Sequence, residues 1–272
     1  MDILKRSLAP LTDAAWEAID SAVDRVLRTG LCGRRIADVD GPKGWDFSAV
    51  GMGRIEIPGR QAREGVVFGV RRVLPLVEPR ISFHLDIWEM DDTSRGAEDA
   101  DVRPAEEAAR AMIAFEDGAI FGGLAPGSIK GLLAGSDHKP VPVPLDVKGI
   151  IDGVSRALLL LKDASIVGPH TLVLGPKPYR ALAGHAPCHP PLRQLEELIG
   201  GPVLYSPHLD GGILASTRGG DRTLTLGQDF SIGYEWQETK RVRLFITESF
   251  TFRVLEPAAH VVLAAGGARK GR

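Results

Sequence analysis

Residues 217–257 read TRGGDRTLTLGQDFSIGYEWQETKRVRLFITESFTFRVLEP. Apolar and polar residues alternate through Leu224 and Leu226, through Val242, Leu244 and Ile246, and through Phe250, Phe252 and Val254. A period of two marks strands that bury one face. Arg218-Gly219-Gly220-Asp221 and the polar run Glu235 to Lys240 supply the turns. The spacing predicts a sheet here, and no catalytic motif sits on it.

Elsewhere helices dominate. Residues 1–11 read as an extended arm. Thr12 is placed to cap a helix, with Asp13 and Glu17 near its positive end. Trp16, Ile19, Val23, Val26 and Leu27 then share one face, and Gly30 can end the helix. That stripe reads as core or as a docking surface for a partner peptide, and the two can coexist. Residues 45–83 mix Gly and Pro with short β-like runs, Val66-Val67-Phe68 and Val73-Leu74-Pro75-Leu76. They predict a projecting strand pair, which cannot bury both faces alone and needs a neighbouring subunit. Pro104 at the first helical position opens a helix to about Phe121, with Ala108, Met112, Phe115 and Ala119 inward. Asp146 caps another to about Lys162, burying Ile150, Ile151, Val154, Leu158 and Leu161. Thr171 to Leu174 is a short buried strand, followed by alternating helix and strand to about Leu214. The final Gly/Lys/Arg-rich residues read as a disordered tail.

Composition narrows the function. The 272 residues allow a substantial core, and 44% hydrophobic with 25% charged residues is an ordinary globular balance. Thirty-three basic against 35 acidic side chains leave a net charge of -2, so neither nucleic acid nor an anionic membrane is an expected partner. Two cysteines, Cys32 and Cys188, are too few for a disulfide framework and fit a reducing cytoplasm. There is no secretory leader pattern and no long apolar run.

Candidate chemistry is sparse. Gly122 to Gly131 (GGLAPGSIKG) has the look of a phosphate loop but lacks Gly-Lys-Ser/Thr, and reads as a connector. His185, Cys188 and His189 offer soft ligands in a Pro-stiffened loop without an evident fourth, so no metal site is assigned. No Ser-His-Asp or Cys-His constellation is present, nor Gly-x-Ser-x-Gly. The chain is not expected to be an enzyme.

Several segments carry a resemblance. Leu226-Gly227-Gln228-Asp229-Phe230-Ser231-Ile232-Gly233-Tyr234 and Leu244 through Phe252 (LFITESFTF) resemble the C-terminal signature of the encapsulins, or linocin-like bacteriocins. So do Leu4 to Thr12, Trp16, Ile19-Asp20, Gly33-Arg34-Arg35, Gly41-Pro42, Gly44-Trp45, Leu85 to Glu89 and Phe115-Glu116-Asp117 through Phe121, in the family's order. The resemblance implies an α+β fold of the tailed-bacteriophage, Hong Kong 97 type major capsid protein. It divides the chain into an N-terminal arm, helix and first part of a peripheral domain (1–44), an extended loop on an adjacent protomer (45–83), the peripheral domain with a long helix (84–145), an axial domain (146–216), peripheral-domain strands (217–264) and a disordered tail (265–272).

It also implies a function: a cytoplasmic icosahedral nanocompartment of sixty copies or a multiple. The shell would enclose cargo enzymes, a peroxidase or a ferritin-like iron oxidase, through their targeting peptides. Iron storage and oxidative stress are then the expected settings. The implied cargo groove combines Val23, Val26, Leu27, Arg34, Asp38, Asp229 and Ile232. His185, Cys188 and His189 would border a five-fold pore, with the histidines tuning ion passage by pH. Some members stack a flavin on a tryptophan matching Trp88, which here closes a predicted strand, and Arg80 would approach its phosphate. No cofactor is otherwise required. Two alternatives stay open, a phage or prophage capsid protein and a flavin-binding protein with its own redox activity.

Overall fold

The computed structural model describes residues 3–58, 65–183 and 190–266. In chain order the elements are α1 (Asp13–Gly30), β1 (Asp38–Asp40), β2 (Ala49–Glu56), β3 (Val70–Pro75), β4 (Arg80–Asp86), α2 (Ile87–Ser94), α3 (Arg103–Gly122), α4 (Leu132–Gly135), β5 (Val141–Pro144), α5 (Val147–Asp163), β6 (His170–Leu174), α6 (Pro176–Ala183), α7 (Pro191–Ile199), β7 (Val203–Tyr205), β8 (Gly212–Ser216), β9 (Arg222–Leu226), β10 (Ser231–Gln237), β11 (Arg241–Thr247), β12 (Phe250–Val254) and β13 (His260–Gly266).

The alternating C-terminal stretch forms four strands, but in two sheets rather than one. β12 lies antiparallel to β9, with Phe250 opposite Leu226 and Phe252 opposite Leu224, and β1 runs parallel on the far side of β9. The β10–β11 hairpin instead pairs with β4: Ile246 faces Ile232 on one side and Ile81 on the other. The base of this inserted hairpin is closed where the Gly227 amide donates to the Ser249 carbonyl at 2.8 Å. Alternation identifies strands, but it does not say which strand is the neighbour.

α1 and α3 cover the β10–β11–β4 sheet. The Thr12 hydroxyl accepts from the Ala15 amide at 3.3 Å, the expected cap. Ala15, Trp16, Ile19 and Val23 are buried with Met112, Phe83, Ile232 and Ile246 in one core. α3 starts one residue earlier than expected, so Pro104 is its second residue. Phe115, expected inward, is 39% exposed, whereas its neighbours Glu116 and Asp117 are fully buried. The N-terminal arm is not fully extended: Arg6–Leu8 form a single 3-10 turn.

A five-stranded sheet in the order β5-β13-β8-β6-β7 builds the second module. α5, capped by Asp146 accepting from the Gly149 amide at 2.8 Å, packs Ile150, Val154, Leu158 and Leu161 against it. This corrects the expected boundaries. β5 and β13 belong to this sheet and not with the peripheral strands, and Ala265 and Gly266 pair with Val143 and Pro144 instead of starting the tail. The buried Arg222 side chain on β9 joins the modules. It donates to the carbonyls of Ile36, Ser216 and Ala259 at 2.7, 2.8 and 2.9 Å.

β2 and β3 form a separate antiparallel ribbon, with Ala49 opposite Pro75 and an irregularity between Gly51 and Ile55. Ile55, Ile57, Val66, Val67, Phe68, Val70 and Val73 are exposed on or beside it. The projection closes before Arg80, so residues 80–83 belong to β4 rather than to the loop. Among the described residues no helix is long and apolar enough to cross a membrane.

Candidate functional site

α1 and β10 face each other across a cleft of about 270 Å³. Val23 and Leu27 from α1, Phe230 and Ile232 from the start of β10, and Ile246 from β11 give it an apolar lining. Asp20 and Asp24 add carboxylates one helical turn apart, and Leu4 and Arg6 complete the lining. Val26 packs half-buried on the same core without lining the cleft. Ile232 is 5% exposed, so it belongs to the core as much as to the cleft.

Beside the cleft lies a buried charge cluster. Arg34 donates to Glu116 through Nε at 3.0 Å and Nη2 at 2.7 Å, to Asp229 through Nη1 at 2.9 Å, and to Glu248 at 3.3 Å. The guanidinium stands 4.8 Å from the centre of the Phe230 ring, which couples the cluster to the cleft wall. The sequence brings these groups together by three routes. Arg34 sits on a 3-10 turn directly after α1, Glu116 on α3, and Glu248 at the bend between β11 and β12. Burial opposes the charge on Arg34, but hydrogen bonds and attraction from Glu116, Asp229 and Glu248 leave its pKa raised. Glu248 is raised well above the usual carboxylate value by burial and then by the charge of Glu116. One guanidinium faces three carboxylates, and the two fully buried ones, Glu116 and Glu248, share its Nη2.

Asp117 anchors the turn that presents Arg34. Its two oxygens accept from the Gly33 amide at 2.8 Å and the Cys32 amide at 3.3 Å. Gly33 is required by space, because a Cβ there would run into the Ile120 side chain. Burial lifts the Asp117 carboxyl to about 7, against the two amide bonds that favour its charge. The folded chain therefore holds a proton that the unfolded chain releases. This contribution is complete below the ordinary value of 3.8 and is lost as pH rises through about 7. Asn at this position accepts with only one oxygen and orphans an amide, at a cost of about 1–3 kcal/mol. We expect wild-type particles to lose about 2 kcal/mol more stability than Asp117→Asn particles between about pH 5 and pH 8. Denaturant midpoints across that range check it; parallel pH profiles would show that Asp117 does not titrate there.

Asp38 departs from the expected grouping. It lies on β1, and its carboxylate accepts from the Gly220 amide at 2.6 Å. It lines a separate polar cavity of about 120 Å³ with Arg35, Ser216 and Arg222. The buried Ile36 and the pairing of β1 with β9 direct it away from the α1–β10 cleft.

The profile of the family described as "Encapsulating protein for peroxidase" matches residues 1–251. The type 1 encapsulin shell protein of Rhodospirillum rubrum is 39% identical over 270 residues, covering 97% of this chain and 96% of that protein. The chain belongs to the encapsulin shell proteins. The fold comparison agrees. The crystal structure of the virus-like particle from Pyrococcus furiosus superposes with a TM-score of 0.63 at 19% identity, over 91% of this chain and 98% of that one. The capsid protein of Myoviridae phage XM1 gives 0.56 at 12% identity, over 87% and 92%. The encapsulin fold here is thus the tailed-phage capsid fold of Hong Kong 97 type.

The other expected sites fare differently in this encapsulin. Trp88 does not close a strand. It sits in the first turn of α2, where its amide donates to Asp86 at 2.8 Å, and its indole is 68% exposed. Arg80 is at the far end of β4, with its guanidinium 4.1 Å from the centre of the Phe245 ring. An extended strand of this length separates the two by about 20 Å within one chain. His185, Cys188 and His189 lie outside the described residues. Gly122 to Gly131 is a connector, with a 3-10 turn at Ala125–Gly127. Among the described residues no group of three His, Cys, Asp or Glu is arranged to hold a metal.

Leu4, Arg6, Asp20, Asp117, Glu116 and Glu248 carry no assigned role in the sequence reading. Glu116 and Asp117 had a signal available. Two acids inside the apolar stripe of a helix are buried only when partners wait for them.

Proposed function

We propose that this encapsulin assembles into a closed icosahedral shell of sixty copies or a multiple, as that symmetry requires, and that the α1–β10 cleft holds the targeting tail of an enclosed enzyme. The observation that carries the docking half is the cleft's composition. The half-buried Leu27 and Phe230 offer apolar surface over the buried Val23, Ile232 and Ile246, beside the carboxylates of Asp20 and Asp24. Such a surface fits a short extended segment with aliphatic and basic side chains. Apolar burial stabilises at roughly 25 cal/mol per Å², an exposed ion pair adds little, and enclosure with many copies raises the effective concentration. The family description makes a peroxidase the first cargo to test, with a ferritin-like iron oxidase second. The proposed function is structural and uses no catalytic residue. A flavin stacked on the exposed Trp88, with Arg80 toward its phosphate, stays part of this proposal; a colourless protein from flavin-replete cells would discard it.

Leu27 tests the cleft better than Ile232, because it lines the cleft from a half-buried position. Leu27→Asp is expected to leave particles intact and to remove most co-purifying cargo, read by gel densitometry of purified shells. Equal cargo in both preparations would move the docking site elsewhere. A pore role for His185, Cys188 and His189 stays part of this proposal. It is tested by ion entry into shells carrying His185→Ala and His189→Ala.

A further inference from the structure

One end of the cleft is held by the chain's own beginning. β10 is the edge of its sheet. The Tyr234 amide on that edge donates to the Leu4 carbonyl at 2.7 Å, so Leu4 lies against β10 as an added rung. Arg6 forks onto Asp20 at 2.6 and 3.2 Å, with its guanidinium 3.9 Å from the centre of the Trp16 ring. Leu4, Arg6 and Asp20 all line the cleft.

The same segment is weakly held. Its 3-10 turn buries no residue, and Leu8 is 67% exposed. Lys5 has φ 50°, a left-handed conformation that a lysine adopts at a cost. Beside the Arg6 contacts, an open groove of about 640 Å³ runs between the segment and α1, lined among others by Ser7, Ala9, Leu11 and Trp16. A segment with no buried residue in its turn and an open groove beside it sits at the low end of local stability.

We propose that residues 3–8 are a displaceable strap. They occupy the β10 edge and the Asp20 carboxylate, and an incoming cargo tail seats by exchanging with them. This rests on the cleft being the cargo site. The strap itself shows the chemistry the site accepts, an aliphatic residue whose backbone pairs with β10 followed by a cation for Asp20. While the strap is in place, the apparent affinity for any tail falls by the fraction of open clefts. Cargo selection then depends on how well a tail outcompetes Leu4-Lys5-Arg6 as well as on the cleft's own fit.

The test uses the strap sequence as its own probe. A fluorescent protein ending in Ile-Leu-Lys-Arg-Ser-Leu-Ala-Pro-Leu, the sequence of residues 3–11, is co-expressed with the full-length shell protein. Fluorescence per purified particle is then compared with a tail-less control. Arg6→Ala, which frees the strap from Asp20, is expected to raise tailed reporter content about tenfold over wild type. Equal loading in both shells, or no loading above control in either, overturns the proposal. Hydrogen exchange on unmodified shells gives a reading that needs no variant. The Tyr234 amide should exchange much faster than amides bonded between β10 and β11, and equal protection overturns the strap. Cargo loss in Leu27→Asp together with equal reporter loading in wild type and Arg6→Ala would keep the cleft and discard the strap.

Discussion

Val67→Asp combined with Phe68→Asp is expected to shift the protein from megadalton particles to free subunits or small oligomers. Both residues lie by the projecting β2–β3 ribbon, 71% and 47% exposed, beside further exposed Ile and Val side chains. A lone two-stranded ribbon has no core of its own, and so many exposed apolar residues on one projection mark a surface that another chain covers. Fully burying a large apolar side chain stabilises by about 1.5–3 kcal/mol. Two carboxylates in that contact reverse the sign, and the penalty repeats at every equivalent contact of a symmetric particle. The folded subunit should be spared, because neither side chain belongs to any of its three cores. Light scattering on the eluted peak with circular dichroism on the same fraction checks both halves. Intact particles of unchanged mass would mean that the ribbon is not an assembly contact.

Arg34→Ala should be the most damaging single change in the peripheral module. It removes the cation that Glu116, Asp229 and Glu248 share, and it leaves the fully buried Glu116 and Glu248 side chains without their basic partner. Breaking a buried pair from one side costs about 3–5 kcal/mol. The expected result is poor soluble yield or a denaturant midpoint far below wild type. Glu248→Gln should cost much less, since burial and the Glu116 charge already disfavour a charged carboxylate at Glu248. Arg34→Lys should recover only part of the loss, because a single ammonium cannot replace a planar fork across three carboxylates. An Arg34→Ala shell as stable as wild type would show that the cluster contributes little, and a strongly destabilising Glu248→Gln would show that Glu248 is charged in the folded chain.

What the sequence disclosed follows from the range of each signal. Local periodicity and capping are short-range, so the helix caps at Thr12 and Asp146 and the strands around Leu224, Ile246 and Phe252 were legible. The division of those strands between two sheets was not, because pairing partners come from β1 and β4, far away in sequence. β13 was misassigned for the same reason: Val261 to Leu263 fit any sheet, and only the finished core shows which one. Of the groove residues, Val23, Leu27, Arg34, Asp229 and Ile232 do lie together, at or beside one cleft. Asp38 does not, because the turn after α1 sends β1 to another sheet. Glu116 was legible in principle, as an acid inside the apolar stripe of α3, whereas Glu248 was not, because it stands at a bend between two strands and meets Arg34 only across the fold.

The position of β13 bears on when a shell can form. In the five-stranded sheet it lies between β5 and β8. Every other strand of that sheet precedes it along the chain. A ribosome therefore releases β5 into solution long before its neighbour exists, and until β13 emerges β5 has no hydrogen-bonded partner in the sheet. A nascent chain thus carries the β2–β3 ribbon from early on, yet it lacks the finished five-stranded sheet. Closure of the five-stranded sheet is thereby tied to the emergence of β13, so a subunit cannot present a finished module to its neighbours before that strand is made.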